Sequence, residues 1–432
     1  MTTPYKHNGA FDYYGYHTRD DIAIQMTSPV TMHTGFRFIK QNLKQVEILE
    51  FPTWKEYTST LKKGWDIVGF SFYTCEANEI LKMADYARKA GVQQLWAGNY
   101  GALNPLISSS FDKVFIGYSE EQIATELGCE IGEIIHPPII EGIGIKPLGY
   151  PFILMGVLYT TRGCPMKCTF CQTPAFANTA VKIPIDSIER VLRHYKDNGV
   201  QLVIIYDDNF GIIPSHAREV VDLFQKYNIS WGVITRADIL KKNFDEWYES
   251  GLVGVSIGIE SMNPDILKDV KKQETLEDTM EVLELLNSHN CFIVGGYMIG
   301  FEQETKESIK DSFRQLSRLK PDFLKIFVAT PFPQTELWDT IQQDYGIDTS
   351  DWSKFDLKHL VWNHPSLTEE DIHMLLDYGH DLFNSEEHVF RFIRKLKHRL
   401  KKQKGHLATH QFFLSSFKNR LHSEVGGLHF FD

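Results

Sequence analysis

Thr160-Thr161-Arg162-Gly163-Cys164-Pro165-Met166-Lys167-Cys168-Thr169-Phe170-Cys171 holds three cysteines within eight residues, in the pattern C-x3-C-x2-C. No fourth cysteine lies nearby, whereas structural zinc usually takes four ligands, commonly in two pairs. Cubane [4Fe–4S] clusters are ligated by cysteine thiolates. Three such ligands, Cys164, Cys168 and Cys171, leave one iron open to chemistry. A zinc knuckle is the other reading of the same spacing. The remaining cysteines, Cys75, Cys129 and Cys291, are scattered in or beside apolar stretches and read as core thiols. Six cysteines in 432 residues are too few for a disulfide scaffold.

Outward from this motif, strand and helix signals alternate. Strands are expected at 156–160, 202–206, 230–234, 254–258, 292–298 and 323–328. Helices fit between them at 185–198, 216–227, 244–250, 276–288 and 306–319. Such a series closes into a barrel or opens into a sheet, and in a barrel function sits on the loops after the strands. The cysteine motif, Asp207-Asp208-Asn209, Thr235-Arg236, Glu260-Ser261 and Gly300 all fall directly after strands, which gathers five polar or special sites at one rim.

Upstream, a short alternating run at 46–51, an apolar run from Asp66 to Tyr73, Gln94-Leu-Trp-Ala and Lys113-Val-Phe-Ile-Gly read as strands. Helical spacing lies over 79–90 and 120–127. Strands alternating with helices imply parallel βαβ units, and here a doubly wound unit with its ligand at the carboxyl ends of the strands. Gly142 to Pro151 is rich in Gly and Pro and reads as a domain linker. Beyond about Pro333 the chain reads as helical. Residues 386–404 form a basic amphipathic stretch, with Val389, Ile393, Leu396 and Leu400 on one face. It has two readings: contact with an anionic membrane surface, or a solvated helix packed on the barrel.

The cysteine motif, with the aromatic Phe170 before its last cysteine, resembles the signature of radical S-adenosylmethionine (SAM) enzymes, and the likeness extends from about Leu158 to Leu337. The resemblance implies a [4Fe–4S] cluster whose open iron binds SAM, and cleavage of SAM to a 5′-deoxyadenosyl radical. It implies SAM contacts from Phe170, Asp207, Asp208, Asn209, Arg236, Glu260, Ser261 and Gly300. Asp207-Asp208-Asn209-Phe210 would meet the SAM amino group, although the same residues read as a helix cap. Arg236 would clamp the SAM carboxylate or form a surface salt bridge. Glu260 and Ser261 would hold ribose hydroxyls. Gly296 to Thr305 resembles the adenine-lining strand and its glycine turn. Relatives often carry Pro after that turn, where this chain has Glu302, so a different turn shape is expected. Pro331-Phe-Pro-Gln-Thr-Glu-Leu337 resembles a closing segment, with Gln334 in place of Gly.

A doubly wound unit ahead of such a barrel is similar to the cobalamin-binding (class B type) radical SAM enzymes. The expected fold is therefore α/β: a Rossmann-like cobalamin-binding-type domain over 1–145, a radical SAM partial (β/α)6 TIM barrel over 150–340, and a helical C-terminal region over 341–432. Gly98, Gly101 and Gly117 would let a corrin approach the backbone. The cobalt-ligating pattern Asp-x-His-x-x-Gly is missing, and no histidine lies between His33 and His136. Either cobalamin binds without a protein imidazole on cobalt, or the domain is a remnant that shapes a substrate pocket.

The function expected is radical SAM chemistry on a small-molecule biosynthetic intermediate: cobalamin-dependent methylation, or rearrangement or cyclisation, with or without cobalamin. A non-catalytic iron–sulfur or zinc sensor is the reading from another class. Tyr206, Tyr297 and Cys291 are candidate relays or core residues. An electron donor such as flavodoxin or ferredoxin is implied. A net charge of −11 disfavours a nucleic-acid partner. Met1 to Asp20 lacks the pattern of a secretory signal, and no apolar run is long enough to span a bilayer, so a cytoplasmic protein is expected.

Overall fold

The computed structural model describes residues 33–144 and 151–383, the pairs Tyr16–His17 and Ala23–Ile24, and His388, Arg391, Arg394 and Lys395. Ile67–Ser71 (β1), Gln94–Gly98 (β2) and Lys113–Phe115 (β3) form a parallel sheet in that order. Helix Ala77–Lys89 crosses from β1 to β2 and buries Ile80, Met83, Ala84 and Ala87, a stripe at helical spacing that faces the sheet. The strands follow sequence order, so the reversal that defines a doubly wound sheet is not formed among the described residues. The 46–51 run, expected as a strand, is irregular chain outside any sheet.

The larger sheet has seven strands. Pro151–Leu158 (β5), Leu202–Ile205 (β6), Ser230–Thr235 (β7), Leu252–Glu260 (β8), Phe292–Ile299 (β9) and Phe323–Val328 (β10) lie side by side in chain order, each parallel to its neighbour. Ile140–Gly144 (β4) pairs antiparallel with β5, Ile140 opposite Gly156 and Gly144 opposite Pro151. The Gly/Pro-rich stretch expected as a linker is thus partly a sheet strand. Pairing with β5 satisfies its backbone groups, and its glycines do not prevent that.

Helices Ile185–Asp197, Pro214–Tyr227, Ala237–Glu249, Leu276–Ser288 and Lys306–Arg318 return the chain between successive strands. One large apolar core joins them to the sheet, with Tyr195, Trp231, Trp247, Tyr297 and Phe313 fully buried. Burying a side chain such as Leu or Phe contributes roughly 1.5–3 kcal/mol, so this core holds the rim loops in register. Helix Glu369–Phe383 closes against β10 where Gly379 leaves no room for a Cβ beside Ile326 and Phe313.

The basic 386–404 stretch lies mostly outside the described residues. Two of its cations turn inward. Arg391 Nε donates to Asp322 Oδ1 at 3.0 Å and Lys395 Nζ to Asp322 Oδ2 at 2.8 Å, and Asp322 is fully buried. These two belong to an ion-paired contact with the residue preceding β10 of the large sheet, not to an exposed basic face. Among the described residues no helix is long and apolar enough to cross a membrane.

Candidate active site

The cysteine loop leaves the carboxyl end of β5 and is pinned at its start by Asp207. That carboxylate accepts from the amides of Thr160 (2.6 Å) and Thr161 (2.9 Å) and from both threonine hydroxyls. Burial pushes its carboxyl up to about 6, against the pull of these donors. Asp207 is therefore engaged in shaping the loop. Thr161–Arg162 then pairs antiparallel with Val181–Lys182. Gly163 follows at φ 86°, and a Cβ there would collide with Thr179 O and sit 2.8 Å from Ala177 O. Only glycine fits that turn. Cys164 N donates to Ala177 O at 3.0 Å, Cys171 N to Cys168 O at 3.1 Å, and Thr169 N to Val270 O at 3.1 Å.

Burial pushes all three thiols up, Cys168 to about 11 with the Lys272 ammonium pulling against that. A cationic centre that binds thiolates offsets this desolvation. Among the described residues no three His, Cys, Asp or Glu side chains are arranged to hold one metal ion. A cubane asks for something else, one thiolate on each of three irons, and a backbone-anchored loop carrying three soft donors suits it. Phe170 packs with Ile266, Val270, Met298 and Phe301 beneath the loop.

Asp208 accepts from Tyr118 Oη at 2.8 Å and from Gly163 N at 2.7 Å, both on Oδ2. Its Oδ1 receives no protein donor among the described residues and suits an ammonium ligand. Asn209 is buried, and among the described residues neither its amide nitrogen nor its amide oxygen has a partner. Buried amides are normally hydrogen-bonded, and an orphaned pair asks for an explanation. A polar ligand such as SAM supplies one.

The other expected SAM contacts fare differently. Arg236 is buried and makes three hydrogen bonds and an ion pair within the protein: Nε with Asp238 (2.9 Å), Nη1 with Lys272 O, and Nη2 with Gln273 O (2.9 Å) and the Glu274 carboxylate (3.6 Å). It ties down the 271–274 loop and is buried, so it is not a surface salt bridge. Ser261 is fully buried in a turn, where its hydroxyl accepts from Asn263 N at 3.1 Å. Gly300, at φ 84°, forms a turn closed by Glu304, which accepts from Gly300 N (2.7 Å) and Phe301 N (2.9 Å).

Glu260 takes an ion pair from Lys272 Nζ at 2.9 Å. The pair crosses Gly258, where a Cβ would collide with Glu260 and lie 2.7 Å from Lys272 Nζ. Glu260, Lys271 and Gln273 all hold positive φ (61°, 55° and 59°). Strain of this kind in non-glycine residues gathers at functional sites. Lys272 and Glu274 escaped the sequence reading because their loop follows a short helix rather than a strand.

A cavity of about 810 Å³ opens between the carboxyl ends of the small sheet and the cysteine-bearing rim of the large one. Gly98 and Gly117 line it with Asp208, Tyr159 and Tyr206. Gly101 does not, because it packs on Phe72, whose carbonyl would lie 2.8 Å from an added Cβ. Tyr73, Tyr100 and Phe176 stack in sequence along the wall, with ring centroids 6.0 and 4.5 Å apart. His33, at the border of the histidine-free interval, also reaches this wall. Its Nδ1 accepts from Phe36 N at 3.2 Å, so Nε2 carries the proton and faces Ser71 Oγ at 3.0 Å. Burial lowers it to about 3, leaving a neutral ring with both nitrogens occupied. Of the candidate relays, Tyr297 and Cys291 are fully buried core residues, and Tyr206 alone lines the cavity.

A parallel (β/α) sheet with three cysteines on the loop after its first parallel strand defines a class, and the comparisons agree. The Radical SAM superfamily model matches residues 158–316. Residues 158–316 thus form a radical SAM domain, which implies a [4Fe–4S] cluster and SAM. The chain is 28% identical over 239 residues to an uncharacterized methyltransferase of Pyrococcus horikoshii, covering 54% of this chain and about half (51%) of that protein. It is 24% identical to the bacteriochlorophyllide d C-12(1)-methyltransferase of Chlorobaculum tepidum, covering 72% of each. The structure of the radical SAM methyltransferase TsrM from Kitasatospora setae, with cobalamin and a [4Fe–4S] cluster bound, superposes at a TM-score of 0.63 and 14% identity over 81% of this chain and 86% of that one.

Proposed function

We propose that this enzyme methylates a carbon of a small-molecule intermediate, with the cluster on Cys164, Cys168 and Cys171, SAM on the adjoining rim, and cobalamin in the 810 Å³ cavity. The observation that carries the reading is Asp208, which stands on the cluster rim, lines the cavity and is bonded to Tyr118 of the small sheet. When bound, the cluster supplies the electron that cleaves SAM, and cobalamin carries a methyl group. The chain's own residues do the rest. Asp208 Oδ1 accepts from the SAM ammonium and the Asn209 amide pairs with its polar groups. Glu260, held by Lys272, presents its second oxygen to ribose. Gly98 and Gly117 let the flat cofactor approach, and the Tyr73–Tyr100–Phe176 stack excludes water. His33 has both ring nitrogens hydrogen-bonded within the protein, to Phe36 N and Ser71 Oγ, and would not serve as a metal ligand. An external donor such as a flavodoxin or ferredoxin delivers electrons.

Anaerobic reconstitution tests this. The wild type should carry about four irons, take up hydroxocobalamin in a histidine-free, base-off form, and release 5′-deoxyadenosine from SAM. Cys164→Ala, Cys168→Ala or Cys171→Ala should abolish the iron and the cleavage. Exclusion of cobalamin would remove the methyl-transfer reading and leave a radical SAM enzyme whose cavity holds substrate instead.

A further inference from the structure

Arg162 stands two residues before the first cysteine, and its side chain is 6% exposed against 5% for Glu120. Nη1 donates to Glu120 Oε2 at 3.1 Å and Nη2 to Oε1 at 3.0 Å. The guanidinium carbon lies 3.9 Å from the ring centroid of Phe38 and 4.7 Å from that of Tyr118. A buried bidentate pair packed against two rings holds a single geometry. Such pairs add little net stability over apolar substitutes, because desolvation opposes the attraction. Geometric definition is the property they supply.

The two partners belong to different halves of the molecule. Glu120 follows β3, at the start of helix Glu120–Glu126, while Arg162 lies in the cysteine loop. The next residue, Gly163, is tied through Asp208 to Tyr118. Two successive residues ahead of Cys164 are therefore held by the 117–120 loop, and that loop walls the cavity. Among the described residues this is a buried ion pair that joins the small sheet's loops to the cluster loop.

We infer that Glu120 and Arg162 are positioning residues that set the separation between the cysteine loop and the cavity, so that methyl transfer from SAM into the cavity depends on this clamp while reductive cleavage of SAM does not. The inference rests on the proposed function. In the transfer, the methyl group leaves SAM as a cation for doubly reduced cobalt, and the sulfonium departs as S-adenosylhomocysteine. In the cleavage, one electron gives methionine and, after hydrogen abstraction, 5′-deoxyadenosine.

The test uses the full chain, reconstituted with iron and sulfide, loaded with hydroxocobalamin and reduced with titanium(III) citrate, which supplies the electrons for both routes. S-adenosylhomocysteine and 5′-deoxyadenosine are measured together after addition of SAM. In Glu120→Gln, 5′-deoxyadenosine should stay within about twofold of wild type while S-adenosylhomocysteine falls at least about tenfold, a loss that corresponds to 1.4 kcal/mol or more. Arg162→Lys, which keeps the charge but loses the fork, should show the same split to a smaller degree. An unchanged ratio, a parallel fall of both products, or loss of iron in both variants would overturn the clamp. A wild type that cleaves SAM but neither takes up cobalamin nor releases S-adenosylhomocysteine sinks the proposed function instead. The clamp is then read from amide exchange: faster exchange over 117–120 and 160–164 together in Glu120→Gln upholds it, and unchanged exchange there overturns it.

Discussion

Tyr118 Oη and the Gly163 amide donate to the same oxygen of Asp208, at 2.8 and 2.7 Å. One carboxylate oxygen thereby joins the loop after β3 to the residue preceding the first cysteine, and the other is left for a ligand. Asp208→Asn keeps the shape and loses the charge. It should retain the cluster and weaken SAM binding by roughly ten- to a hundredfold, the equivalent of about 1.5–3 kcal/mol for a hydrogen bond to a charged group. Equilibrium binding of SAM to the anaerobic protein decides this. Wild-type affinity would take Asp208 off the SAM site.

Asn209 presents the opposite balance. Its buried amide has no partner among the described residues, and an unsatisfied buried polar group costs about 1–3 kcal/mol. Asn209→Ala should therefore leave the melting temperature unchanged or raise it, while lowering SAM affinity about tenfold. A clear fall in melting temperature with normal SAM binding would make Asn209 a structural residue only.

Gly163→Ala tests the loop itself. The substitution keeps all three thiols but puts a Cβ against Thr179 O at a φ of 86°. The loop must shift, so iron content should drop to well under half of wild type with the rest of the far-UV dichroism preserved. Full iron loading would show that the cluster tolerates a displaced first cysteine.

Glu141, on β4, has its carboxyl pushed by burial from 4.5 to about 7. Its folded-state value lies above its unfolded one, so the unfolded chain loses the proton first. Stability then falls as pH rises from about 4.5 to 7, and the full penalty is present at pH 8. At 1.36 kcal/mol per pH unit this is roughly 3 kcal/mol as an upper bound. Glu141→Gln should raise the melting temperature at pH 8 by several degrees and leave it nearly unchanged at pH 5. Equal effects at both pH values would mean that the carboxyl titrates normally.

Short-range pattern was enough for the class of this enzyme. Cysteine spacing is set over eight residues of chain, and the apolar runs of β5 to β10 are long and separated by amphipathic helices, so parallel strand–helix units could be read directly. Tertiary structure decided which rim residues face a ligand. Asp207, Asp208 and Asn209 are neighbours of similar chemistry, yet one is saturated by two threonines, one is shared with Tyr118, and one is orphaned. Arg236 is bound by carbonyls of a loop 36 and 37 residues downstream, and Glu120 meets Arg162 across 42 residues. Successive side chains leave a strand end in opposite directions, and the partner each one meets is brought by a distant segment. Hydrogen-bond saturation is therefore a property of the packed chain, which no local pattern of residues encodes.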